Sequence, residues 1–289
     1  MCHDTREAMR LPDFTRESAR VGVSTNIDGK APMGLASSSR RLYGIAAIVL
    51  GLTQCIGHDF LMNWHPVPPE IPLRQPLVYL TGAMLIVGGV AVLVRRTARA
   101  GLAMIAAFFM FAGLFWLRRI IHFPTIFGTW SGFAEEFAPV LAAVLCCLML
   151  TPVAVDWRAR ISAAGRVLFG LCVIAFGIIH IDALEPTAAM VPTWLPFGQS
   201  FWAVATGVAF ILFGLAIVVG AEARLAALLV TVMLCSFGLL VWVPRILAHP
   251  GQPNVWGGTA ITLAVASAAW MVADTQAPIG RLDDELTVR

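Results

Sequence analysis

The amino-acid sequence predicts an all-α, polytopic integral membrane protein whose eight transmembrane helices form two tandem four-helix bundles in a parallel repeat. Three observations carry this. Of the 289 residues, 58 % are hydrophobic and 13 % charged, about half the charged share of a soluble domain. Apolar runs close to the roughly 20 residues needed to cross the hydrocarbon recur along the chain. The chain also repeats itself at an offset of 125 or 126 residues. "YGIAAIVLG" falls on "FGLCVIAFG", "TGAMLIVGG" on "TGVAFILFG", Arg99 on Arg224, Gly113 on Gly238, Arg119 on Arg245, Pro124 on Pro250, Trp130 on Trp256 and Gly132 on Gly258. Self-similarity of this extent marks a duplication. Four spans per copy is an even number, so both copies enter the membrane from the same side, and the axis relating them lies near the membrane normal.

Taken in order, residues 1–40 mix acids with bases and lack the apolar core of a secretory signal. They are expected to be a disordered cytoplasmic tail, and Asp4, Glu7, Asp13 and Glu17 argue against a transit peptide. The expected location is a bacterial inner membrane. Spans are predicted near 42–60, 76–94, 100–118 and 134–154 in a first unit, residues 41–155. After a cytoplasmic linker at 156–165, a second unit at 166–273 has spans near 166–183, 199–220, 223–243 and 256–273. Residues 274–289 form a second cytoplasmic tail. The first and fifth spans are the least apolar, ending in "GLTQCIGHDF" and "FGIIHIDALE".

Orientation follows from arginine. Arg40, Arg41, Arg95, Arg96, Arg99, Arg158, Arg160, Arg166, Arg224 and Arg281 fall at one side of the spans. Arg74, Arg118, Arg119 and Arg245 fall at the other. The positive-inside rule places both termini in the cytoplasm. Seven tryptophans, among them Trp64, Trp130, Trp202 and Trp242, gather at the outer ends as an aromatic belt would. The net charge of +3 is too small and too dispersed for nucleic acid. The lipid bilayer is the expected partner, with a membrane redox protein as a second.

The segment "FGIIHIDALEPTAAMVPTWLPFGQSFWAVATGVAFILFGLAIVVGAEARLAALLVTVML" resembles the DoxX-like membrane protein family. It has a glycine-bearing first span, a proline-rich loop, an aromatic start to the next span, a Thr-Gly span and an Ala-Arg-Leu-Ala turn. The first half is similar with less fidelity, so the resemblance covers about residues 41–273 as two fused DoxX-like units. Members of that family include a subunit of thiosulfate:quinone oxidoreductase and parts of membrane redox complexes. The resemblance therefore implies a membrane subunit or quinone-linked component of a redox system. It transfers no catalytic motif. The alternative is a noncatalytic membrane protein that binds a lipid or small molecule, or assists assembly of a partner.

The candidate site is drawn from polar side chains in or beside the spans, where such residues usually face the bundle. Gln54 aligns with His180 at the same depth of the first helix in each unit. Glu135 and Glu136 open the fourth span, where a helix N-terminus favours carboxylates. Arg119, His122, Asp182 and Arg245 border the same outer side. These eight are candidate ligand-binding residues, with hydrated interfacial groups and ordinary ion pairs as the competing reading. Quinone fits the family resemblance, and haem is disfavoured because no two histidines occupy equivalent positions. No metal signature, nucleotide loop or nucleophile paired with a base is present. The six cysteines include no C-x-x-C and read as small core hydrophobes. Two matching segments, "RIIHFP" and "RILAHP", are expected to end the third helix of each unit and tie it to the fourth.

Overall fold

The structure, a computed structural model, describes residues 35–152 and 154–276. Most of the 1–40 tail, nearly all of the 274–289 tail and Arg281 lie outside the described residues. Ten α-helices and one π-helical turn, with no strand, make up the described chain. They are α1 (Leu35–Gly57), α2 (Arg74–Leu93), α3 (Ala98–His122), α4 (Phe127–Met149) and α5 (Val155–Asp182). Then follow α6 (Leu184–Ala188), α7 (Gln199–Val219), α8 (Ala223–Phe237), the π-turn (Gly238–Trp242), α9 (Val243–Ala248) and α10 (Pro253–Thr275). Among the described residues, seven helical stretches are long and apolar enough to cross a membrane: α2, α3, α4, α5, α7, the continuous Ala223–Ala248 rod, and α10. The chain is thus a multi-pass, all-helical protein suited to a bilayer. α1 is not among the seven. Ser37, Ser38, Ser39, Arg40, Arg41, Thr53 and Gln54 dilute its apolar run.

Three helices start seven or more residues earlier than hydropathy indicates, the first being α1, which begins at Leu35 rather than 42 and so takes the end of the expected 1–40 tail into a helix. α4 begins at Phe127 rather than 134, because its polar first turn is satisfied internally: the Thr129 hydroxyl donates to the Ile126 carbonyl at 2.8 Å. α5 begins at Val155, so the expected linker 156–165 is helical. Arg158 and Arg160 make that stretch too polar for a hydropathy signal, yet charge does not prevent a helix from continuing past the hydrocarbon.

The packing follows the sequence repeat. α1 lies along α2, α2 along α3, and α3 along α4. In the second half α5 lies along α7, α7 along α8, and α8 along α10. The halves share their closing helices: α1 packs on α10, α5 packs on α4, and α4 meets α10 at the centre. Exchanging each helix with its repeat partner reproduces this network. Tyr43 on α1, fully buried, still reaches α4 by donating to the Pro139 carbonyl at 3.0 Å.

Glycines let the paired helices approach. A Cβ at Gly51 would stand 2.5 Å from the Gly82 carbonyl oxygen, and one at Gly177 would stand 2.5 Å from that of Gly207. These four positions correspond in the repeat, and small residues at such contacts are what allow membrane helices to close on each other.

The third helices end alike. Phe123 N–H bonds back to the Arg119 carbonyl at 2.7 Å, and His249 N–H to that of Arg245 at 2.8 Å. The indoles of Trp130 and Trp256 donate to the Pro124 and Pro250 carbonyls at 3.0 and 2.9 Å. Arg119 sits over the Trp116 ring and Arg245 over the Trp242 ring, 5.3 and 5.6 Å from their centroids. Each ring lies against a glycine of the fourth helix, Gly132 or Gly258, where no side chain would fit. The recurring arginine, proline, tryptophan and glycine thus form one joint used twice. Arginine is held by cation–π attraction, and proline supplies a carbonyl while stopping the helix.

One difference between the copies is visible in the register. Gly113 matches Gly238 at an offset of 125, whereas Trp116 matches Trp242 at 126. The second copy has one extra residue between these points. It is absorbed by the π-turn Gly238–Trp242, the way a helix accommodates a single insertion without losing its axis.

Candidate functional site

The first copy folds the loop between its first two helices into itself. After α1 the chain turns back so that Phe60, Leu61, His65 and Val67 are all buried. His65 Nδ1 meets Glu136 Oε1 at 2.9 Å, with both side chains sealed from solvent. The imidazole stands edge-on to Phe108 and Phe109, centroids 5.0 and 6.5 Å away. His65 Nε2 and Glu136 Oε2 find no partner among the described residues. Next to it, the Trp64 carbonyl accepts the Trp116 indole N–H at 2.6 Å.

The second copy does otherwise. By the repeat, Phe108, Phe109 and Glu136 correspond to Met233, Leu234 and Thr262. The corresponding loop of this copy, 184–198, stays largely exposed around the short α6. Met233, Leu234 and Thr262 line a cavity of about 680 Å³ that lies beneath this loop. The volume that His65 and its loop fill in one half is open in the other. Aromatic rings form much of the wall, including Phe176, Phe210, Phe237, Trp202 and Trp242. Trp64, from the first copy's loop, closes one side and touches Trp242 edge-on at 6.2 Å.

Two of the residues singled out from sequence meet here. His180 on α5 and Glu135 on α4 both line the cavity. His180 is half-buried, stacked on Phe237 at 6.1 Å with 26° between the rings, and its Nδ1 lies 2.6 Å from the Phe176 carbonyl. Glu135 and Glu136 are neighbours on a helix, so their side chains diverge by about 100°. That divergence sends Glu135 into the cavity and Glu136 toward His65. Pro139, one turn further, has no N–H to give the Glu135 carbonyl, which loosens the ladder beside the site.

The other six candidates are elsewhere. Gln54, although aligned with His180, is fully buried and donates to the Val78 carbonyl and the Thr81 hydroxyl at 2.7 and 2.6 Å. It ties α1 to α2. Glu136 pairs with His65, as above. Arg119 and His122 line a separate recess of about 320 Å³ with Arg118 and Glu70. Arg245 covers Trp242 on the rim of the joint. Asp182 is exposed at the end of α5.

Sequence reasoning missed Trp64, His65 and Ser131. Trp64 and His65 sit in a loop, where no helical periodicity distinguishes a buried position from a hydrated one. "NWHPVPP" reads as interfacial until the chain is seen to fold inward. Ser131 lines the cavity one turn before Glu135, a spacing that could have coupled the two residues. Among the described residues no group of three or more His, Cys, Asp or Glu could hold a metal ion.

A family model described as "Domain of unknown function (DUF8561)" matches residues 169–248. That stretch runs from the middle of the second copy's first helix through α9 and carries three walls of the cavity. No curated protein and no solved structure matches the chain.

Proposed function

We propose that the chain is a DoxX-like inner-membrane protein that binds one small, mostly apolar molecule with a polar head, in the cavity of its second copy. The carrying observation is the asymmetry of the duplication. One half seals the space between its third and fourth helices with its own loop, and the other leaves about 680 Å³ there. A volume of that size, walled by aromatic rings with a few convergent polar groups, is typical of ligand sites, which span about 300–1,000 Å³. In this reading α1 is an eighth span. It runs alongside α2 and α10, and its glycine contact with α2 copies that of α5 with α7.

The test uses the first copy as template. Met233→Phe with Leu234→Phe installs the residues found at Phe108 and Phe109 and fills the cavity from α8. Native mass spectrometry of the protein released from detergent should find one small molecule per chain in the parent and none in the double variant. Equal retention by both would sink the proposal.

A second reading is favoured by His180 and Glu135 lining one cavity. Two groups able to exchange protons beside an apolar space suit a quinone-linked component of a membrane redox system. An ultraviolet difference spectrum of the solvent extract, before and after borohydride, would show the quinone band; its absence leaves only the binding role.

A further inference from the structure

Consider which hydrogens the cavity wall has left to give. His180 Nδ1 faces the Phe176 carbonyl at 2.6 Å. A carbonyl only accepts, so Nδ1 carries the proton and neutral His180 has a lone pair on Nε2. The Thr206 hydroxyl donates to the Trp202 carbonyl at 2.8 Å, and the Ser236 hydroxyl to the Val232 carbonyl at 2.9 Å. The Trp202 indole donates to the Pro196 carbonyl at 2.7 Å, and the Trp242 indole to the Thr262 hydroxyl at 2.8 Å. All five side chains line the cavity. On the wall built by α5, α7, α8 and the π-turn, every N–H and O–H named here is already committed. What His180, Thr206 and Ser236 have left to offer the cavity is lone pairs, whereas the Ser131, Thr187 and Thr262 hydroxyls on the rest of the lining make no donating bond among the described residues.

We infer that the ligand is a hydrogen-bond donor: an apolar molecule with a hydroxyl-bearing aromatic head, whose O–H is accepted by His180 Nε2 beside Thr206. This rests on the binding role proposed above and narrows it. At His180 and Thr206 a head that only accepts, such as a ketone, an ether or a carboxylate anion, would meet lone pairs with lone pairs. A head without a hydrogen-bonding group would leave the imidazole nitrogen unsatisfied. The ring stack of His180 on Phe237, with Phe210 5.2 Å from the imidazole, favours a flat head in the same layer. For a quinone-class ligand the dihydroxy form satisfies His180 Nε2 and the dione does not.

The experiment compares two probes of nearly equal size and hydrophobicity, para-hexylphenol and its methyl ether para-hexylanisole. Binding to the full chain in nanodiscs is followed by tryptophan fluorescence, with empty nanodiscs as blank. The phenol should bind about tenfold more tightly, the worth of one neutral hydrogen bond at the upper end of its range. In His180→Phe the preference should shrink to within about twofold while the ether keeps its affinity. Thr206→Val should shrink the preference less, and it guards against misfolding of the histidine variant. Equal binding of the two probes by the parent protein overturns the donor inference and leaves the binding role standing. Binding of neither overturns both. A phenol preference undiminished in both variants would refute His180 and Thr206 as its source.

Discussion

Replacing Gly177 by alanine tests whether the helix pairs are held as tightly as their geometry implies. The new methyl carbon would stand 2.5 Å from the Gly207 oxygen and 2.9 Å from the Ile211 nitrogen. Ordinary contact begins near 3.4 Å, so α5 and α7 must part by roughly 0.9 Å. The Ile211 side chain, whose Cγ1 would be 2.6 Å away, can turn aside, but the other two obstructing atoms are backbone and no rotamer change relieves them. A gap of that order forfeits roughly a quarter to a half of the dispersion energy of the contacts it opens. Overpacking of this kind costs about 1–3 kcal/mol. Alanine regains about 0.5–1 kcal/mol through better helix propensity. The expected net loss is therefore centred slightly above 1 kcal/mol within a span of about 0–2.5 kcal/mol, read as a lowered midpoint when far-UV circular dichroism follows titration of the micellar protein with SDS. Gly51→Ala, its repeat partner, meets the Gly82 oxygen at the same 2.5 Å and should lose a similar amount. Gly251→Ala, with nothing within 4 Å, is the control and should stay within about 0.5 kcal/mol of the parent. If Gly177→Ala matches the control, the close approach is not what holds the pair. If only one of the two repeat positions is sensitive, the halves are not equivalent at this contact.

Further expectations concern the buried pair, the joint and the topology. Glu136→Leu strands the buried His65 and should cost about 3–5 kcal/mol, whereas His65→Leu with Glu136→Leu should cost less than the two single changes added together. A strictly additive cycle in the same denaturation assay would mean that the two side chains are not coupled. Trp242→Phe removes the bond to Thr262 and should lower stability by about 0.5–1.5 kcal/mol; Thr262→Val should reproduce the loss, and a further drop on combining them would assign it to packing instead. For topology, in a background without native cysteines, a probe in the 184–198 loop should react from outside the cell and a probe at Arg96 only after permeabilisation. External labelling at Arg96 would reverse the orientation read from arginine.

The sequence alone determined the helical, bilayer-suited character of the chain and its duplication, because both depend on composition and periodic identity rather than on contacts. It also located the joint at "RIIHFP" and "RILAHP", since proline, tryptophan and glycine at fixed spacing admit few geometries. It marked His180 and Glu135 as polar groups in apolar helices, where burial is costly and position is therefore informative. What it could not determine was their meeting. His180 lies on α5 and Glu135 on α4, and whether two helices of opposite copies share a cavity depends on how the halves exchange their closing helices. Gln54 shows the same limit from the other side: it has the depth and alignment of His180, but a backbone carbonyl and a threonine hydroxyl one helix away take its hydrogens. The cavity itself was decided by tertiary structure. Loop 58–73 folds inward because Phe60, Leu61, His65 and Val67 all find partners there, while loop 184–198 remains at the surface. Two loops of similar length and proline content differ in a fate set by side-chain fit against distant helices, which no local pattern records.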